Sequence, residues 1–327
     1  MHQHFARIFC TIAMAGAALG SASAKDSGLV FVSSEKDHAL TLLDAKTFEV
    51  VGAIKTCKRP RHMALLPGAT RLVVACGDSN RADIIDVASR KVTGALAIGD
   101  NPEAFDISPD GRTIYVSNEE DGELGIFDIA SGKKLKAVPV GKEPEGVKVS
   151  PDGKLVFVTS EVANMVHVVD PAAGKVLKNI AVGKRPRRLA FNADASELWV
   201  TNELAASVSI ISMKDLSVTQ TVNFELKGMR ADDITPVGLV LARDGKTMFV
   251  ALGRANHVAY VDVASRKVGA LVLAGKRAWG LTLNRDGSRL FVANGLSDDV
   301  TVIDVAAAKP LKSVAVGRVP YGVLVDD

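Results

Sequence analysis

The sequence has few aromatic residues, few cysteines and almost no imbalance of charge, and each shortage excludes a class of protein. Aromatic residues make up 5% of the 327 residues, and there are three cysteines. Three cysteines are too few for a small domain held together by disulfides. A net charge of +3 is too small for a dedicated nucleic-acid binder. With 47% hydrophobic residues, the composition also excludes an intrinsically disordered chain.

Long apolar runs are scarce, and the one that stands out lies at the N-terminus. Arg7 precedes an apolar run over residues 8–19, and the small residues Ala22 to Ala24 follow it. This order is typical of a secretory signal peptide, so we predict removal of residues 1–24 and a periplasmic location for residues 25–327. A buried N-terminal helix is the alternative. The shortage of further apolar runs indicates that the exported chain has no membrane span.

An internal repeat dominates the rest of the sequence. Length alone favours about two domains. However, an Asp follows an alternating apolar segment every 42 residues. This period predicts a single repeat array instead. Ser212 takes the Asp position in the fifth repeat, and an insertion of eight residues follows it. The marker positions are Asp44, Asp86, Asp128, Asp170, Asp262 and Asp304.

Two further markers keep the same register. One is a Pro, replaced by Ala278 in a single repeat, and the other is a turn of the type Ser-Pro-Asp-Gly. Each repeat contains four short segments with the two-residue alternation of β-strands. Four strands in 42 residues are typical of a β-propeller blade. We therefore predict an all-β, seven-bladed propeller of four-stranded antiparallel blades that occupies residues 25–327 as one domain.

The two ends of the chain predict how the ring closes. Residues 28–34 resemble the second strand of a repeat, and residues 321–327 resemble a first strand. One blade should therefore combine three N-terminal strands with one C-terminal strand. Such a clasp removes the open sheet edge that a linear array would expose.

Candidate functional residues concentrate in two loop families that should emerge on one face of the propeller. Arginines fall into sectors with acidic residues between them. Clustered arginines can hold carboxylates or phosphates, and Trp279 and Tyr321 offer a stacking plane. The alternative is a solvated rim whose charges pair with one another. The candidates are Arg59, Arg61, Glu103, Glu119, Glu145, Glu161, Arg185, Arg187, Glu203, Arg230, Arg277, Trp279 and Tyr321.

Arg230 lies in the insertion, residues 223–235, which lengthens a loop on the same face. A longer loop there would act as a lid or contact a partner. Neutral drift in a permissive loop is the other interpretation.

Two of the cysteines fall at matching ends of neighbouring strands. Cys57 occupies a rim-loop position and Cys76 ends the next strand, so the two should be close in space. A disulfide is expected in an oxidising compartment; a soft-metal site with His62 or Met63 is the alternative. We predict no zinc site, and no Ser-His-Asp constellation can be singled out.

Several segments carry a resemblance to a known family. The repeated strand appears as IYVSN (114–118), LWVTN (198–202) and LFVAN (290–294), which is similar to the strand of the YVTN (YncE-like) seven-bladed β-propellers. Within that group, the ordered rim loops resemble those of the PQQ-dependent catabolism-associated β-propeller proteins. These loops include KRPRH (58–62), DNPEAF (100–105), EPEGV (143–147), KRPRRL (184–189) and NGLSDDV (294–300).

The resemblance implies a periplasmic protein associated with quinoprotein alcohol dehydrogenases and transport components, and it supplies no catalytic residues. Our leading hypothesis is a non-enzymatic binding protein of alcohol catabolism. It would bind an anionic small molecule, with the planar tricarboxylate PQQ as a candidate, or dock a quinoprotein dehydrogenase, a cytochrome or a transport component. The alternative is a lactonase-like propeller hydrolase that uses Arg and Glu residues of the same rim. Low charge and few aromatic residues argue against single-stranded nucleic acid.

Overall fold

The protein is an all-β ring, as the repeat predicts. A computed structural model describes residues 26–327, so the predicted signal peptide lies outside the described residues. Seven four-stranded antiparallel sheets contain every strand of this region, and their first strands contact one another around a central channel. The only helical segments within residues 26–327 are three short 3-10 turns, Gly77–Ser79, Glu203–Ala205 and Ala231–Asp233. No helix in that range is long and apolar enough to cross a membrane.

The blades follow the 42-residue period. Blade 1 begins with β1 (Leu29–Ser34), β2 (Ala39–Asp44) and β3 (Val50–Lys55). Blade 2 contains β4 (Pro60–Leu65), β5 (Arg71–Cys76), β6 (Arg81–Asp86) and β7 (Lys91–Ala97). Blade 3 contains β8 (Pro102–Ile107), β9 (Thr113–Asn118), β10 (Glu123–Asp128) and β11 (Lys134–Pro139). Blade 4 contains β12 (Pro144–Val149), β13 (Val156–Ser160), β14 (Met165–Asp170) and β15 (Lys175–Ala181).

The remaining blades have the same plan, and the insertion shortens one strand. Blade 5 contains β16 (Pro186–Phe191), β17 (Glu197–Asn202), β18 (Ser207–Ser212) and β19 (Ser217–Asn223). Blade 6 contains β20 (Leu239–Leu241), β21 (Thr247–Ala251), β22 (His257–Asp262) and β23 (Val268–Leu273). Blade 7 contains β24 (Ala278–Leu283), β25 (Arg289–Asn294), β26 (Asp299–Asp304) and β27 (Lys309–Ala315). The last strand, β28 (Pro320–Asp326), returns to blade 1.

The predicted clasp closes the ring. Strand β28 pairs antiparallel with β1, with Val30 opposite Val325. The Ser27 backbone N–H adds a hydrogen bond of 2.9 Å to the Asp326 carboxylate. The edge that β1 would otherwise present is therefore paired, and blade 1 has the same four-stranded order as the others.

The hydrophobic core lies between the blades. Both faces of the middle strands are buried because each blade packs against two neighbours, and the largest fully buried side chains include Trp199, Phe31, Phe157 and Phe291. The outermost strands are mostly exposed; β11, for example, has one buried residue among six. The few aromatic residues of the sequence are thus used mainly between blades.

The repeated Asp residues have the structural role that turn chemistry predicts. The Asp86 carboxylate accepts a hydrogen bond from the Ser89 backbone N–H at 2.8 Å, and the other marker residues do the same in their own turns. Ser212 substitutes through its hydroxyl, which accepts the Asp215 N–H at 3.4 Å. These carboxylates stabilise turns on the surface.

Candidate functional site

The two predicted loop families meet on one face of the ring. The loop after the second strand of a blade donates a backbone hydrogen bond to the loop before the first strand, as from Glu161 to Glu143 at 3.0 Å and from Glu203 to Arg185 at 2.9 Å. The same bond recurs in four further blades. The repeat thereby brings these loops to one mouth of the channel.

In five blades, a side chain of the preceding blade fixes the loop that enters the inner strand. The residue before the Pro marker, or before Ala278, adopts a left-handed conformation with φ between 45° and 61° in six blades. A non-glycine residue rarely adopts this conformation unless its surroundings hold it there. In five of the six blades a side chain of the previous blade accepts its backbone N–H, as from Arg59 to His38 at 3.1 Å and from Arg277 to Asn256 at 2.9 Å.

A β-bulge then directs the next residues into the channel. In blades 2–5 and 7 the pairing between the first and second strands shifts immediately after the Pro or Ala marker. Bulges re-aim side chains and are common beside functional sites. The first residue after the marker forms what we call the ring layer, with one member from each blade: Arg61, Glu103, Glu145, Arg187, Val237, Trp279 and Tyr321.

The second residue of the bulge is usually small, as close packing predicts. A Cβ added to Gly280 would lie 2.5 Å from the Tyr321 carbonyl oxygen, and one at Gly238 would lie 2.3 Å from that of Trp279. Side chains are excluded where the inner strands converge. The exceptions at this position are His62 and Arg188, which are large and polar.

One half of the ring layer is charged and internally paired. Arg61 bonds the Glu35 carboxylate at 2.7 Å and also contacts Glu103, which Arg59 approaches at 3.2 Å. Glu103 is almost fully buried, with 1% of its side chain exposed. The arginines of this sector therefore already hold carboxylates.

The second arginine sector is paired in the same way. Arg187 contacts Glu161 and lies 3.5 Å from Glu145 and 3.4 Å from Glu203. Arg185 bonds Glu161 at 2.6 Å and Glu203 at 3.2 Å. Burial of these groups is tolerated because each charge has a partner.

The other half of the ring layer is apolar and leaves donors without acceptors. Val237, Trp279 and Tyr321 pack together as one buried cluster. The Arg277 guanidinium lies 4.2 Å from the centre of the Trp279 ring, and its N–H groups have no acceptor among residues 26–327. The buried Trp279 Nε1 likewise has no hydrogen-bond partner in this region. Burial and the neighbouring Arg187 guanidinium lower the pKa of Arg277.

The faces of the two aromatic rings are already covered. Arg187 lies 4.9 Å from the Trp279 ring centre, and Arg61 lies 4.8 Å from that of Tyr321. These cation–π contacts occupy the plane that the sequence offers for stacking. A ligand would instead meet the edge of Trp279 beside Arg277.

A polar septum divides the channel. Tyr321 donates a hydrogen bond of 3.3 Å to Glu145, which Arg188 approaches at 3.0 Å, and Arg188 also donates to the Tyr321 hydroxyl. Burial raises the pKa of the Glu145 carboxyl, but the Arg187, Arg188 and Arg61 guanidiniums outweigh this effect and lower the pKa to about 2. Glu145 is therefore ionised at neutral pH.

The septum separates two cavities of similar size. The rim chamber, with a volume of about 250 Å³, lies above the septum at the loop face and is lined by rim residues. The inner chamber, of about 290 Å³, is lined by residues further along the inner strands, including His62, Phe105 and Arg188. Trp279 and Tyr321 border both chambers.

Ten of the thirteen predicted rim residues line the rim chamber: Arg59, Arg61, Glu103, Glu119, Glu145, Arg185, Arg187, Arg277, Trp279 and Tyr321. Glu161 and Glu203 contact the arginines from behind. Arg230 does not join them, since its side chain is 80% exposed and pairs with Asp233. The inner chamber was not predicted, although the 42-residue period would have shown His62 and Arg188 as bulky exceptions among small residues.

Cys57 and Cys76 form a disulfide, with their Cα atoms 5.8 Å apart. In blade 3 the corresponding positions are Gly99 and Asn118, whose side chain fills the space in front of the glycine. The Asp83 carboxylate accepts the Cys57 backbone N–H at 2.8 Å. The bridge thus ties the rim loop to the end of β5.

Comparison with known proteins places the chain in a family. The family model of the choice-of-anchor I domain matches residues 80–290, well over half of the sequence. The chain belongs to the choice-of-anchor I domain family. Among curated proteins, none matches this choice-of-anchor I chain in sequence.

Solved structures show the same propeller fold at low sequence identity. The periplasmic gluconolactonase PpgL of Pseudomonas aeruginosa is 22% identical, with a TM-score of 0.76, and the match covers 91% of the choice-of-anchor I chain and 99% of PpgL. Hydrazine synthase of Kuenenia stuttgartiensis is 23% identical, with a TM-score of 0.76 and coverage of 86% and 93%. The dihydro-heme d1 dehydrogenase NirN, in complex with DHE, is 16% identical, with a TM-score of 0.69 and coverage of 91% and 75%.

Proposed function

We propose that this choice-of-anchor I propeller is a periplasmic, non-enzymatic binding protein that holds a small carboxylate ligand in its rim chamber. The observation that carries the proposal is the pair of unused donors at the apolar half of the ring layer. The Arg277 guanidinium and the Trp279 Nε1–H lack acceptors among the described residues, while the other arginines that line the chamber have carboxylate partners. The buried Trp279 Nε1–H is costly without an acceptor, and a carboxylate ligand would satisfy it together with the partly exposed Arg277 guanidinium.

PQQ is the ligand that we propose to test first. It is a planar tricarboxylate, and the rim loops resemble those of propellers associated with PQQ-dependent catabolism. We propose an accessory role in PQQ-dependent alcohol catabolism on that resemblance. The periplasmic location rests on the signal-peptide pattern of residues 1–24.

Titration calorimetry with PQQ tests the ligand, and two variants test the site. Arg277→Gln removes the unpaired guanidinium, so we expect PQQ binding to weaken about tenfold or more. Arg230→Gln removes an exposed arginine of the same loop face and is the matched control, which should bind like the wild type. Absence of binding heat at high micromolar PQQ would contradict the proposal that PQQ is the ligand. Equal binding by the Arg277→Gln variant would contradict the proposal that Arg277 is part of the site.

Two further measurements separate the remaining functions. If the protein serves instead as a docking platform, native periplasmic extracts should yield a quinoprotein dehydrogenase, a cytochrome or a transport component that co-purifies with it. If it is a hydrolase, a panel of sugar and aldonic lactones should show turnover. A structural neighbour named as a gluconolactonase motivates that panel, although identity of 22% supports only the shared fold.

A further inference from the structure

The inner chamber is a second cavity with its own chemistry. It is lined by the third to fifth residues of the inner strands, on the side of the septum away from the rim. Its volume of about 290 Å³ approaches the lower end of the range for small-molecule sites. Nothing in the rim proposal uses this space.

About half of the chamber wall is apolar. His62 packs edge-on against Phe105, with ring centres 4.7 Å apart. Leu239, Leu281 and Val323 complete the lining from blades 6, 7 and 1. A ligand with an apolar body would therefore be favoured, because it removes these apolar side chains from contact with water.

His62 presents an N–H donor to the chamber. Its Nδ1 accepts the Phe105 backbone N–H at 3.4 Å, so the neutral ring carries its proton on Nε2. Burial and the nearby Arg188 guanidinium lower the pKa of His62 to about 3, which keeps the ring neutral in the physiological range. Nε2 has no acceptor among residues 26–327.

Arg188 supplies a second donor. Its Nη1 bonds the Glu145 backbone oxygen at 3.1 Å and the carboxylate at 3.0 Å, and its Nη2 donates to Tyr321. Its Nε has no acceptor within the described part of the chain. The chamber also contains Lys148, but Asp106 neutralises it at 3.0 Å.

We propose that the inner chamber binds a small monocarboxylic acid with an apolar body, whose carboxylate accepts hydrogen bonds from His62 and Arg188. The carboxylate satisfies two donors that the fold leaves open, and the body lies against Phe105 and the leucines. Benzoate and hexanoate are small enough for this volume of about 290 Å³ and serve as the probes. His62 and Arg188 do not line the rim chamber, so this proposal does not rest on PQQ binding there.

Calorimetry with benzoate and hexanoate, and with benzyl alcohol and hexanol as neutral counterparts, tests the proposal. We expect one-to-one binding of at least one acid. The acid that binds more tightly shows whether the chamber prefers an aromatic or an aliphatic body. The matching alcohol should bind at least tenfold more weakly, because it lacks the charged acceptor. Failure of both acids to bind at 10 mM, or equal binding of acid and alcohol, would overturn the proposal.

Three variants locate the site. His62→Phe keeps the packing on Phe105 and removes the donor, so acid affinity should fall about tenfold. His62→Gln retains a donor and should stay closer to the wild type, whereas Leu239→Phe fills the chamber from blade 6 and should abolish binding. Circular dichroism verifies that each variant is folded. Undiminished affinity in both His62→Phe and Leu239→Phe would place the acid elsewhere.

Arg277→Gln separates this site from the rim chamber. It should leave acid binding in the inner chamber unchanged while it weakens PQQ binding at the rim. Loss of acid binding in this variant would overturn the assignment to the inner chamber, whatever the result for PQQ.

Discussion

The two halves of the ring layer differ although they occupy one backbone position. In blades 2–5 this position carries Arg61, Glu103, Glu145 and Arg187, and all four are paired. In blades 6, 7 and 1 it carries the apolar cluster of Val237, Trp279 and Tyr321. The comparison shows that a cluster of arginines is not by itself an anion site, because acidic neighbours can already occupy it. In the rim chamber, the donors without a carboxylate partner among residues 26–327, Arg277 and the Trp279 Nε1–H, lie at the apolar half.

The largest effect on this arrangement should come from opening the ring. Deletion of residues 319–327 removes β28, which includes Tyr321 of the apolar half, and leaves blade 1 with three strands. We expect the melting temperature to fall by roughly 10 °C or more. Arg285→Ala is the control, since it breaks only the surface ion pair with Asp26 near the same end. An unchanged melting temperature in the deletion variant would show that the clasp is dispensable.

The next largest effect should come from the charged half. Arg187→Met removes the cation that contacts Glu145, Glu161 and Glu203 together in a buried site, which should cost about 3–5 kcal/mol in the free energy of unfolding. Chemical denaturation measures the loss. The exposed Arg230→Met variant should change stability by less than about 1 kcal/mol. Similar small values for both variants would mean that the charged half is not a stabilising network.

Acid should weaken the charged half in a defined pH range. The pKa of Glu145 is lowered from 4.5 to about 2 in the folded protein. Its contribution to stability is therefore fully present above pH 4.5 and is lost as the pH falls towards 2. Between pH 5 and 2.5 the unfolding free energy of the wild type should fall more steeply than that of Glu145→Gln. The exposed Glu225→Gln variant should follow the wild-type curve, and parallel curves for all three proteins would refute the assignment.

The smallest effect on stability should come from the apolar half. Trp279→Phe keeps an aromatic ring but removes the Nε1–H, a donor with no acceptor among the described residues. The free energy of unfolding should change by less than about 1 kcal/mol, while PQQ affinity should fall about fivefold to tenfold. Calorimetry and denaturation measure the two quantities on one sample. A large loss of stability with intact affinity would show that Trp279 serves packing alone.

The sequence predicts the fold well because the fold is periodic. The spacing of Asp44, Asp86 and Asp128 reports blade length directly, and the strand-like segments at both ends predict the clasp. The same register places Arg61 and Trp279 at equivalent positions. Each of these inferences needs only the order of residues along the chain.

The chemistry of the site is less accessible from the sequence because it depends on which charges meet. Arg185 and Arg277 occupy equivalent positions in their loops, yet two glutamates pair with Arg185 and Arg277 lies over a Trp ring. The expected stacking faces are covered by guanidiniums from other blades, a contact between residues far apart in the chain. Arg230 is separated from the chamber by the conformation of its own insertion.

The contacts between adjacent blades at the rim also affect how this protein can be recombined with its relatives. The conformation of Arg277 depends on Asn256, and that of Arg59 depends on His38, so these rim arginines are set by the blade before them. A chimaera cut at the visible blade boundaries would therefore separate an arginine from the residue that orients it. The natural unit of exchange starts in the loop before the third strand of one blade, so that His38 or Asn256 is included, and ends with the second strand of the next.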